Sequence, residues 1–138
     1  MKSICLILFS TFYSIHCDKV KIQEMWVYNY SETRGYTSGG AVRQFEILEN
    51  RNDKQKLNKE DLNSIQNIIF RSKVKKLFPS KTGTNLLFLQ IIDTNHISAN
   101  VIVNYGCIRD FTNRKDYWIT DKNDQEWLAL FIKKTKKL

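Results

Sequence analysis

The chain has 138 residues and carries 22 Lys and Arg against 14 Asp and Glu, a net charge of +8. That length fits a single domain with its own core, and the positive balance favours polyanionic or acidic partners. Two histidines and three cysteines, none of them clustered, argue against a zinc site of Cys and His ligands.

The first seventeen residues have the layout of an export signal. Lys2 is followed by an apolar run from Ile4 to Phe9, extended to Ile15, and no acid occurs before Asp18. A dozen apolar residues fall short of the roughly 20 that a membrane-spanning helix requires. The run has neither a period of two nor one of 3.6, which argues against a strand or helix of the fold. Residues 18–138 are therefore expected to form one exported domain, periplasmic or secreted. Cleavage before Cys17 would instead make that cysteine a lipidation site and tether the domain to a membrane. His16 departs from the lipoprotein pattern, which wants a small residue there. Loss of the leader removes one lysine and leaves 21 basic side chains against 14 acidic ones. Cys107 then has no internal partner unless Cys17 survives unmodified, and it reads as a buried small hydrophobe.

In the body, Val20 to Tyr30 reads as a strand with Val20, Ile22, Trp26, Tyr28 and Tyr30 on one face. Residues 34–40, with three glycines, read as a loop. Ala41 to Leu48 then reads as a second strand burying Val42, Phe45 and Ile47. A helix follows, with Asn58 as N-cap, Asp61 in its first turn and Leu57 and Leu62 as a staple. Leu62, Ile65, Ile68 and Ile69 form its apolar stripe. Residues 71–85 either prolong this helix or make a loop ending near Pro79.

Leu86–Ile92 is apolar on both faces and predicts a central strand, turning through Asp93–His96 into Ile97–Tyr105. On that second strand Ile97, Ala99, Val101, Val103 and Tyr105 share a side. Ile108–Phe111 and Tyr117–Ile119 make a further pair around Thr112–Lys115. A last helix, capped by Asn123 with Glu126, turns Trp127, Leu128 and Phe131 inward and ends in lysines. The order β-β-α-β-β-β-β-α predicts an α+β fold. Its expected architecture is a mainly antiparallel sheet of five to six strands with two helices packed on one face.

Catalytic groups are scarce. His96 and Cys107 are separated by about 35 Å of extended chain, too far for a dyad. No Gly-x-Ser-x-Gly occurs, and Lys81-Thr82-Gly83 lacks the Ser-x-x-Lys that would accompany it in penicillin-recognising enzymes. Asp93, Asp110, Asp116 and Asp121 fall at strand ends or turns, and Glu24 and Glu46 within strands, with nothing pairing them for glycoside hydrolysis. Asn29-Tyr30-Ser31 is a formal glycosylation sequon at a strand end. No catalytic residue, metal site or cofactor is expected.

Basic side chains carry the clearest functional hint. Arg71, Lys73, Lys75, Lys76 and Lys81 follow one another without an acid, and Lys133, Lys134, Lys136 and Lys137 close the chain. The block without Lys81 and the closing lysines form the candidate anion-binding surface, set against a plain solvated face. Three functions follow: a non-catalytic domain that binds or inhibits an envelope or extracellular protein; a binder of anionic lipid or glycan; and a small hydrolase with a carboxylate site. Nucleic acid is a poor match for an exported domain. Mass spectrometry of the native N-terminus should show Asp18, or Cys17 bearing lipid. Intact chain beginning at Met1 would overturn the export reading.

Overall fold

The computed structural model describes residues 21–32, 37–76 and 86–136. The leader, Cys17 and Lys137 lie outside the described residues, as do Val20 and Lys81. Within them run β1 (Ile22–Glu32), α1 (Ser38–Arg51), β2 (Lys54–Lys56), α2 (Lys59–Arg71), β3 (Lys73–Lys76), β4 (Leu86–Asp93), β5 (Ser98–Val103), β6 (Cys107–Asp110), β7 (Lys115–Trp118) and α3 (Lys122–Thr135). The strands form one antiparallel sheet in the order β2-β1-β4-β5-β6-β7-β3. The α+β class with an antiparallel sheet therefore holds, with seven strands and three helices among the described residues.

The central position of β4 follows from its sequence. Leu86, Leu87, Phe88 and Leu89 are all buried, so neither face is left to water. Leu87, Leu89 and Ile91 join a cluster with the α2 stripe Leu62, Ile65, Ile68 and Ile69 and with Leu128, Phe131 and Ile132 of α3. Leu86 and Phe88 join Tyr28, Ile102, Ala41, Phe45 and Leu48 in a second cluster. Thus α2 and α3 share one face of the sheet, and α1 covers part of the other.

That third helix corrects the strand expected over Ala41–Leu48. Thr37 is its N-cap, its hydroxyl accepting from Gly40 N at 3.2 Å, and Asn52 ends it with φ 50°. Ala41, Phe45 and Leu48 are spaced i, i+4, i+7 and are buried, whereas Val42 and Ile47 are 47% and 40% exposed. Gly39 and Gly40, expected in a loop, belong to its first turn.

β1 also departs from simple alternation. Ile22 stands opposite Asp93 but Glu24 opposite Ile92, so one extra residue bulges and the faces exchange. Ile22 consequently packs with Met25 and Val27 under α2 and α3, while Tyr28 packs against α1. A second shift between Val27 and Ser31 opens β1 again.

Asn58 caps α2 as expected, accepting from Asp61 N at 2.8 Å. The helix stops at Arg71, where Ser72 turns the chain into β3 through a hydroxyl bond to the Ile69 carbonyl. α3 is capped by Asp121 rather than Asn123, since the Asp121 carboxylate accepts from Asp124 N at 3.0 Å. The two helices run antiparallel and are clamped at both ends. Arg71 meets Asp124 at 2.6 Å and Lys134 meets Asp61 at 3.7 Å. β5 stops at Val103, which leaves Ile97 and Tyr105 outside its buried row of Ala99, Val101 and Val103.

The two periodicities assign opposite weights to neighbouring side chains of α1. Phe45→Ala should destabilise the domain by about 3–5 kcal/mol, while Val42→Ala and Ile47→Ala should stay within about 0.5 kcal/mol. Urea unfolding of the three variants checks this, and equal losses would restore the strand.

Candidate binding surfaces

Five of the six carboxylates weighed for catalysis hold backbone groups or pair with other side chains. Asp93 accepts from the N–H groups of Asn95 and Ile97 at 2.8 and 2.9 Å, closing the β4–β5 turn. Asp110 accepts from the backbone and side chain of Asn113 at 2.8 Å, holding the β6–β7 turn. Asp121 caps α3. Asp116 lies fully buried against Arg109, which donates to both its oxygens at 2.8 and 2.9 Å. Glu24 accepts from Lys56 at 3.0 Å and from the Trp26 indole at 3.2 Å, and these bonds hold its carboxyl below the usual range. Glu46, expected within a strand, sits on α1.

Cys107 opens β6 and is half-buried. Burial, followed by the charge of Asp116, pushes its thiol up to about 12, so it stays protonated and unreactive. His96 sits in the turn at the other end of β5, roughly 20 Å of strand away. Among the described residues no three His, Cys, Asp or Glu side chains gather as metal ligands. No helix there is long and apolar enough to cross a membrane.

The basic candidates divide into groups. Arg71 is engaged by Asp124, whose hydrogen bonds raise the guanidinium pKa, and Lys134 reaches Asp61. Lys73, Lys75 and Lys76 stand exposed on β3, an edge strand, with the Lys75 ammonium 5.0 Å from the Trp118 ring. Lys133 and Lys136 line a groove of about 290 Å³ with Tyr105, Ala129 and Ile132. β3 pairs with β7 at the edge of the sheet, whereas Lys133 and Lys136 belong to the last turn and C-cap of α3.

Two further features were not anticipated from the sequence. Across β2, β1 and β4, Lys56, Trp26 and Gln90 stand opposite one another. Lys54 donates to Gln90 at 2.6 Å, and its ammonium lies 5.3 Å from the Trp26 ring. The second is a cavity of about 190 Å³ beside α1, lined by Val42, Phe45, Glu46, Glu49, Asn100, Phe111 and Thr112. Asn100 donates its amide N–H to Glu49 at 2.8 Å, but its side-chain oxygen is buried without a partner. Tyr28, packed edge-on against Phe45, also has a buried hydroxyl with no partner. Burial and then Glu49 push that hydroxyl up to about 12. The spacing Val42, Glu46, Glu49 would have revealed this wall once the segment was read as a helix.

Compared with protein-family models, curated proteins and solved structures, the chain has no match in any of the three.

The Cys107 environment has a measurable consequence. Alkylation at pH 8, followed by peptide mapping, should be at least about a hundredfold slower in folded protein than in urea. Above pH 9 the unfolded chain gives up a proton that the folded one retains up to about pH 12. Stability should therefore fall as pH rises through that window, and less steeply in Cys107→Ala.

Proposed function

We propose that this chain is an exported, non-catalytic domain that binds a protein partner through the cavity beside α1. The carrying observation is a cavity walled by Val42, Phe45 and Phe111 and edged by Glu46 and Glu49, with Asn100, whose side-chain oxygen is buried without a partner, in its lining. Two carboxylates at the edge of an apolar-walled cavity suit an incoming N–H donor whose stem is apolar. A lysine or arginine side chain of a protein partner meets both requirements. Export rests on the leader sequence.

Two observations shape this reading. The four aspartates considered for hydrolysis serve turns, a helix cap and a buried ion pair, which weighs against a carboxylate hydrolase. Both sheet edges are short and carry lysines, Lys54 and Lys56 on β2 and Lys73, Lys75 and Lys76 on β3. Edges of that kind resist strand addition, so the helical face is the better contact. A second reading, retention on a polyanion, is favoured by the three exposed lysines of β3.

A photocrosslinker at Val42, used in the native cell, should give one discrete protein adduct. Glu46→Gln with Glu49→Gln should abolish that adduct, and neutralising Lys73, Lys75 and Lys76 should leave it intact. An adduct indifferent to the glutamates, or lost with the lysines, would remove this reading. Loss with the lysines, together with salt-sensitive retention on an anionic glycan, would favour the polyanion instead.

A further inference from the structure

We infer that the groove at the end of α3 binds an anionic phospholipid at a membrane surface. The groove has an apolar floor, Ala129 and Ile132, and a cationic rim, Lys133 and Lys136. Tyr105 forms its other wall and is 57% exposed. This tyrosine is displayed by a rigid turn rather than a loose one. The Asn104 side chain accepts from Gly106 N at 2.9 Å and Cys107 N at 2.7 Å, bracketing it. Leu130, one turn before Lys133 and Lys134, is 67% exposed on the outer side of the same helix.

Charge and polarity select the occupant. The acidic side chains of α3, Asp124 and Glu126, belong to its first half, and its last two turns carry only lysines. These outweigh the partial negative charge of the helix terminus. An exposed tyrosine, an exposed leucine and flanking ammonium groups form the combination that settles at a lipid headgroup boundary. A cavity of about 290 Å³ accommodates a headgroup and the start of its chains, with the lysines on the phosphate. The site lies on the sheet face opposite α1, so it goes beyond the protein-binding reading and does not depend on it.

Vesicle sedimentation of the full chain tests the site, because a common leader contributes equally to every variant. Vesicles containing about a quarter phosphatidylglycerol should bind more protein than phosphatidylcholine alone. Lys133→Glu with Lys136→Glu should reduce that increment at least about tenfold. Tyr105→Ala with Leu130→Ala should reduce it severalfold and make the remainder fully sensitive to about 0.5 M salt. An increment absent in the parent chain would overturn the assignment. So would one unaffected by either double variant, or one removed only by neutralising Lys73, Lys75 and Lys76. The α1 photoadduct should persist in both groove variants, which separates failure here from failure of the protein-binding reading.

Discussion

Burial of β4 on both faces is the constraint from which the architecture follows. Successive residues Leu87 and Phe88 face different cores, one under α2 and α3 and the other under α1. A strand with that sequence cannot lie at an edge or against solvent, because either face would expose large apolar area. Two layers of helix are therefore required. The sequence supplies them unequally, with a pair on one face and a single helix on the other. The single helix covers the Tyr28, Phe88 and Ile102 rows and leaves the Trp26 row to Lys54, Lys56 and Gln90.

What could be read in advance was whatever had an apolar pattern longer than the local irregularities. β4, the β4–β5 turn and the stripe of α2 met that condition, and α2 also carried its cap in Asn58. Ala41–Leu48 did not. Five apolar residues in eight positions fit a period of two nearly as well as 3.6, and the deciding signals, Thr37 and Asn52, lie outside the window. β2 and β3 were illegible for another reason. An edge strand of three or four residues rich in lysine has little apolar face, so periodicity finds nothing there.

The site residues were hidden by the same breaks. Alternation along Ile97–Tyr105 puts Tyr105 on one side with Ala99, Val101 and Val103, which are buried. β5 ends at Val103, however, and Asn104 turns the chain before the next inward position. The bulge after Ile22 likewise moved Trp26 and Tyr28 to the face opposite Ile22. Asn100 was legible only as a polar residue on a strand. Its unpartnered oxygen depends on α1 delivering Glu49 to its amide nitrogen alone.

Charge can be counted from a sequence but not placed, because a helix sorts neighbours by angle. Lys133 and Lys134 are adjacent in the chain but about 100° apart around α3. One side chain rims the Tyr105 groove, and the other turns toward α2 and meets Asp61. Arg71 is sorted in the same way, drawn to Asp124 at the opposite end of the helix pair. Each of these two exposed cations gains only a modest pairing, and the way α3 lies along α2 is set by the apolar cluster of Leu62, Ile65 and Ile69 with Leu128 and Phe131. The orientation so fixed is what presents Ala129, Lys133 and Lys136 to Tyr105. The closing lysines thus divide into one structural contact and one cationic rim, and their net charge alone cannot distinguish them.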